Sequence, residues 1–374
     1  MVDIERVPVY CNVLWSTRQE ALDAECGHIS LGFCEGCGHF FNSSFDSTKT
    51  DYTSNYDNSL HFSPRFNEYA QHLARRLIET YDLRDKDVIE IGCGKGDFLR
   101  LLCRKGDNRG VGFDRSYDPD READQDAVVV RFIQDFYGSA YAHLPADFVC
   151  CRHVLEHIDR PTAFLRALRD WLGDRLDTVL YFEVPNALFT IRAMGIWDLI
   201  YEHPSYFSSQ SLTYAFVNSG FDVLNVVESF GGQYLSVEAR PASREHTSAG
   251  DLDEAGVRRM TMDAAAFKSR YQAKVEEWRK KLSASRPLRR VVWGGGSKGV
   301  TFLNVLRGAP IDYIVDLNPY KQGKYVPGTG QLVIPPEQLV KYAPDEVIVM
   351  NELYREEITR SMQEMGVEAK ISGV

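Results

Sequence analysis

Residues 87–102 read DVIEIGCGKGDFLRLL. The first five form a short, mostly apolar run, and Gly92, Gly94 and Gly96 then lead into FLRLL, whose spacing is helical. Glycine lets a backbone turn sharply and approach a ligand where a Cβ would collide. The stretch therefore predicts strand, tight turn and helix, the opening unit of a Rossmann-like sheet. Glu90 stands near the end of the strand. The next apolar run, GVGFD, ends in Asp114, where a carboxylate can accept hydrogen bonds from both hydroxyls of a ribose.

Working outward, AVVVRFI, DFVCCR and TVLYFEV continue the alternation of short apolar runs with helical or loop segments, the pattern of a parallel sheet with crossover helices. Upstream, Phe66, Tyr69, Ala70, Leu73, Leu77 and Ile78 predict a helix over about Ser63–Tyr81. Downstream, FDVLNVVES and QYLSVEAR are joined only through Phe230-Gly231-Gly232, a link short enough for antiparallel neighbours alone. A parallel sheet closed by an antiparallel hairpin is how class I methyltransferases end, and dinucleotide dehydrogenases usually do not. Residues 243–285 are polar and helix-prone. At Arg289 a fresh strand, glycine turn and helix begin, RRVVWGGGSKGVTFLNVL, followed by IDYIVDLNP and DEVIVMN.

The expected fold class is α/β: a class I methyltransferase Rossmann-like domain (46–242) with a small Cys-rich N-terminal domain (1–45), a helical connector (243–285) and a second, C-terminal Rossmann-like domain (286–374). A net charge of −10 argues against nucleic acid as a partner, because phosphate binding needs clustered Lys and Arg. No stretch has the length of a membrane span, and MVDIERVPVY lacks an apolar signal core. These features predict a cytoplasmic enzyme acting on a small molecule, with no membrane partner. Its eight cysteines are expected as thiols or metal ligands. Cys93, Cys103, Cys150 and Cys151 lie in apolar or turn segments and read as structural filling.

A glycine turn alone does not separate cofactors. The Gly-x-Gly-x-Gly spacing directly after Glu90 favours S-adenosylmethionine, whose sulfonium prefers nearby carboxylates, whereas a dinucleotide needs amides for a pyrophosphate. Glu90, Gly92, Gly94 and Asp114 are the expected cofactor residues. Asp135, in Gln134-Asp135 after the third strand, can address the adenine amino group. His153 and His157 follow the strand DFVCCR at its carboxyl end, where an open α/β sheet has its ligand crevice. Methyl transfer to an acceptor also needs a base, and Tyr201-Glu202-His203 in DLIYEHPSYFS offers a histidine beside a carboxylate. Tyr206 lies in the same aromatic loop, which suits a pocket wall.

With the Cys-rich head, the IEIGCGKG turn, the YEHPSYFS loop and the tail WGGGSKGVTFLN…VDLNPYKQGKYVPGT, the chain resembles the sugar C-methyltransferases of branched deoxysugar biosynthesis. The resemblance runs nearly end to end. It implies a zinc-binding N-terminal domain, a central S-adenosylmethionine domain and a C-terminal Rossmann-like domain that helps to hold the nucleotide of a nucleotide-linked ketosugar. It also implies that His203, paired with Glu202, removes the proton beside the keto group, that His157 lies near the acceptor, and that Tyr56 belongs to an entrance segment. The family motif often reads Tyr-His-Glu-His, but Ile200 and Tyr201 fill its first two places here. The family's two Cys-x-x-Cys pairs are reduced to Cys34 and Cys37. Cys11, Cys26, His28 and His39 could complete a four-coordinate zinc site; the other reading is a truncated, metal-free knuckle. In the C-terminal unit, Lys298 within Gly294–Lys298 could hold a phosphate at a helix start, and Asp316 ends the next strand like a ribose-binding acid. Competing readings are an O- or C-methyltransferase on another natural-product intermediate, an NAD-dependent oxidoreductase using either glycine turn, and a non-catalytic scaffold.

Overall fold

A computed structural model describes residues 1–50, 58–119, 129–243, 253–283 and 288–374. Its strands are β1 (Val2–Pro8), β2 (Cys26–Cys34), β3 (His39–Asn42), β4 (Asp87–Ile91), β5 (Arg109–Phe113), β6 (Val130–Ile133), β7 (Phe148–Arg152), β8 (Val179–Pro185), β9 (Ser205–Tyr206), β10 (Phe221–Ser229), β11 (Tyr234–Pro241), β12 (Arg290–Trp293), β13 (Tyr313–Val315), β14 (Leu332–Ile334), β15 (Glu346–Val349) and β16 (Lys370–Gly373). They form three sheets.

The central sheet has the order β10-β11-β8-β7-β4-β5-β6. β8 to β6 are parallel, and the β10–β11 hairpin closes the sheet antiparallel to β8. β4 starts the fold in mid-sheet with β5 on one side and β7 on the other, so the switch point opens above its carboxyl end, at the glycine turn. Helix α1 (Arg18–Leu22) belongs to the head, and α2 (Pro64–Tyr81) and α3 (Asp97–Gly106) cover one face of the central sheet. α2 begins with a Ser63 cap on the Phe66 amide and Pro64 at its first position. α4 (Pro161–Leu172) and α6 (Ser209–Val217) cover the other face, and the short α5 (Ala187–Ile191) follows β8.

Residues 1–45, whose pattern shows little periodicity, fold into an antiparallel sheet. Its order β1-β2-β3-β9 takes its last strand from the loop after β8. The C-terminal sheet, β14-β13-β12-β15-β16, is parallel throughout and carries α8 (Ser297–Val305), α9 (Gln338–Tyr342) and α10 (Arg355–Glu364). The connector is a single 29-residue helix, α7 (Glu254–Leu282), which buries Val257, Met260, Ala264, Phe267, Tyr271, Val275, Trp278 and Leu282. That stripe joins β1, β2, Trp197 and the α8 face of β12 in one continuous core. The head and the C-terminal unit are therefore packed together, and one cavity opens between them and the central sheet. No helix among the described residues is long and apolar enough to cross a membrane.

Candidate active site

The cavity holds about 740 Å³ and is lined from both glycine turns, within the ~300–1,000 Å³ range of ligand clefts. At the first turn, Gly92, Gly94 and Gly96 have φ of 69°, 55° and 85°. A Cβ on Gly94 would meet no protein atom within 4 Å, so its open face belongs to whatever fills the cavity. Asp114 accepts from the Gly94 amide at 2.8 Å and the Ser116 amide at 2.7 Å, one to each oxygen. Each oxygen keeps a lone pair that a ribose hydroxyl could use. Glu90 is 3% exposed, and its Oε2 has no hydrogen-bond partner. Burial pushes its carboxyl up to about 8. A buried carboxyl with one unpartnered oxygen, a turn whose Cβ space is open and a braced acid fit the amino-acid and ribose ends of S-adenosylmethionine.

Asp135 also lines the cavity, but its oxygens accept from the Tyr141 hydroxyl (2.7 Å) and the Phe136 amide (2.8 Å). His153 adopts φ of 56°, and its Nε2 is 3.2 Å from Glu183 Oε1. Burial opposes its charge, yet Glu156 and Glu183 hold its pKa up at about 9. It is a cation at neutral pH, packed 4.5 Å from the Tyr234 ring.

His157 and His203 face each other with ring centroids 4.7 Å apart. His157 Nδ1 lies 2.9 Å from the Glu202 carbonyl, an acceptor only, so that nitrogen carries the hydrogen. Burial lowers the pKa of both rings, and for His203 the charges of His157, His153 and Lys298 add to it. Both are neutral imidazoles near pH 7, and His203 Nδ1 has no partner. The carboxylate beside them differs from the sequence expectation. Glu202 does not line the cavity; its Oε2 accepts from the Cys11 amide at 2.7 Å and ties the loop to the head. Glu156 instead brings an oxygen within 4.8 Å of ring nitrogens of both His157 and His203.

The loop's position explains the change. β9 pairs with β3 through Phe41↔Ser205 and Phe40↔Tyr206, and the Asn42 amide donates to the Pro204 carbonyl. In the turn just before β9, the Glu202 side chain reaches the Cys11 amide of the head while the His203 ring lines the cavity. Tyr206, expected as a pocket wall, is buried behind the loop and donates to the Ile200 carbonyl at 2.9 Å. Tyr56 lies outside the described residues.

The head's cysteines, read from sequence either as a zinc site or as a metal-free knuckle, do not converge as a set. Among the described residues, no three of Cys11, Cys26, Cys34, Cys37, His28 and His39 bring ligand atoms into a common group. Cys11 is fully buried with its amide on Glu202, and Cys26 Sγ donates to the Ala24 carbonyl. His39 lies against the Ser205 and Ser211 hydroxyls, with its pKa lowered to about 4 by burial. The residues present do not fit a four-coordinate zinc.

The C-terminal turn repeats the first. Asp316 accepts from the Gly295 amide at 2.7 Å and the Asn318 amide at 2.8 Å. Lys298 lines the cavity but pairs with Asp198, which offsets its charge. Sequence reasoning passed over Lys321, which is 5% exposed and among the described residues bonds to neutral oxygens, Asn12 Oδ1 at 3.4 Å and the Gly295 carbonyl at 3.2 Å. Its signal was weak, a lysine five residues beyond Asp316 in a loop.

A model described as "Methyltransferase domain" matches residues 63–226, and one described as "C-methyltransferase C-terminal domain" matches residues 231–370. The chain is 25% identical over 314 residues to C-methyltransferase NovU of Streptomyces niveus, covering 79% of this chain and 74% of that protein. It also aligns with magnesium protoporphyrin IX methyltransferase from Synechocystis PCC 6803 with bound SAH (18% identity, 48% of this chain and 84% of that one, TM-score 0.36). A second aligned structure is the 1,6-didemethyltoxoflavin-N1-methyltransferase of Burkholderia thailandensis (15%, 55% and 96%, TM-score 0.37). With the sheet order, the braced Asp114 and these two matched models together, the chain is an S-adenosylmethionine-dependent methyltransferase of class I fold, joined to a C-terminal domain of the C-methyltransferase type.

Proposed function

We propose that this enzyme C-methylates a nucleotide-linked ketosugar. The observation that carries the reading is one shared cavity: a glycine turn opens into it, a second with its own braced acid opens into it too, and two neutral imidazoles, His203 buried and His157 half-buried, line the same space. A cofactor ribose on Asp114 and a nucleoside ribose on Asp316 then place the sugar beside His157 and His203. Lys321, which makes no ion pair among the described residues, and the uncapped first turn of α8 suit the diphosphate.

S-Adenosylmethionine supplies the methyl group to an attacking carbon. The chain's own task is to make that carbon a nucleophile and to align it. His203 takes the proton from the carbon beside the keto group. The C–H electron pair becomes the enolate double bond, and the new C–C bond forms as the S–CH3 pair returns to sulfur. Burial keeps the imidazole unprotonated and ready to accept. The relative's name, C-methyltransferase NovU, supports carbon as the acceptor atom.

The test is mass spectrometry of reactions with uridine and thymidine diphosphate 4-keto-6-deoxyhexoses. A gain of one methyl group on the sugar is expected. Turnover confined to acceptors without a nucleotide would refute the reading. Replacing His203 with Asn is expected to abolish turnover while S-adenosylhomocysteine still binds; full activity would remove His203 as the base.

A further inference from the structure

Glu156 sits in the short turn Leu155–His157 after β7 and is 2% exposed. Its Oε1 lies 3.7 Å from His153 Nδ1, and its Oε2 has no hydrogen-bond partner. A buried carboxylate with an unspent acceptor is costly, and such groups stand where chemistry uses them. One oxygen of Glu156, one ring nitrogen of His157 and one of His203 lie within 4.8 Å of one another, and all three residues line the cavity. Glu202, the sequence neighbour of His203, is turned to the Cys11 amide and lies off the cavity.

We propose that Glu156 is the positioning carboxylate of the base: it orients the His157–His203 pair and stabilises the imidazolium that forms when His203 takes the substrate proton. The inference rests on His203 acting as that base. The proton taken from the substrate remains on the His203 ring until solvent removes it. The charged and titratable groups around Glu156 come from several elements. His153, Arg152 and Cys151 stand at the end of β7, Glu183 on β8, His157 in the same turn, His203 in the loop before β9, and Lys298 on α8. The charges of His153 and Lys298 disfavour a positive charge on His203, while Arg152 is matched by Glu183 at 2.9 Å. Glu156 is the acid next to the two rings, so removing its charge leaves Glu183 alone to offset the His153 cation that acts on His203.

The test uses the full chain with S-adenosylhomocysteine bound. In protein labelled with 15N-histidine, Glu156→Gln should move the protonation midpoint of the His203 ring down by about one pH unit or more, the size of effect a close charge partner has. Identical titrations in wild type and variant across the folded pH range would overturn the proposal, and no acceptor is needed to see this. With a ketosugar that the wild type methylates, Glu156→Gln should lower kcat about 10²-fold, shift the acidic limb of the pH profile to lower pH, and leave KM for the cofactor unchanged. Glu156→Asp should recover part of the rate. An unmoved limb, or a stoichiometric metal ion in the wild type that the variant loses, would also overturn it. Failure of the base reading shows separately, as turnover in His203→Asn.

Discussion

Replacing Asp114 with Asn tests the cofactor crevice with little change of shape. The native carboxylate accepts the Gly94 and Ser116 amides, one on each oxygen. An amide side chain has one oxygen, so its NH2 must face one of those two N–H groups. It also loses one of the two acceptors available to the ribose hydroxyls. A hydrogen bond to a charged group is worth about 1.5–3 kcal/mol. Losing the ribose acceptor and loosening the glycine turn together amount to about 3 kcal/mol, or about 10² in the dissociation constant. The fold loses about 1 kcal/mol for the half-buried amide left without an acceptor, a shift of about 2–4 °C in Tm for a unit of this size. Calorimetry with S-adenosylhomocysteine reads the first effect and a thermal melt the second. Affinity within threefold of wild type in a folded Asp114→Asn protein would refute the assignment of the ribose to this carboxylate.

Glu90, pushed up to about 8 by burial, is protonated in the free enzyme at pH 7. An incoming ammonium favours its carboxylate, so S-adenosylhomocysteine binding should release about one proton, read as a binding enthalpy that varies with the buffer's ionisation enthalpy; Glu90→Gln should abolish that dependence. His153, held at about 9, is raised above its unfolded value of about 6.5. Its contribution is full below that value and lost as pH rises through 9. The neutral Glu90 gives the same slope between 4.5 and about 8. Tm should therefore fall from pH 7 to 9.5, and His153→Gln should flatten the fall. Gly94→Ala should fold, at a cost of about 1 kcal/mol for a side chain at positive φ, yet weaken S-adenosylhomocysteine by filling the cofactor's space. Gly299→Ala should destabilise the C-terminal unit strongly, because its Cβ would stand 2.0 Å from the Gly294 carbonyl oxygen; unchanged melting would refute that packing argument.

The central sheet was legible because its signals are local. Apolar runs of strand length, a glycine turn and a three-residue hairpin link each constrain neighbouring residues, and together they dictate a parallel sheet closed by an antiparallel pair. The switch point above β4 follows from the same order. The head was less legible, since its sheet is completed by Ser205–Tyr206, residues far away in the chain whose two-residue run carries no periodicity.

Sequence by itself determined the fold class, and it pointed to Glu90–Gly96, Asp114 and the histidines beyond the next strands, residues that line one cavity in the fold. Only the tertiary structure decided which acid stands beside them. Adjacency made Glu202 the natural partner of His203, but in the folded chain that carboxylate meets the Cys11 amide, and Glu156, from a different turn, stands near both rings. The fold likewise paired Lys298 with Asp198 and left Lys321 without a carboxylate among the described residues. The physical reason is common to both: a side chain's direction is set by the backbone that carries it, and its partner by the element packed opposite, which spacing along the chain does not encode.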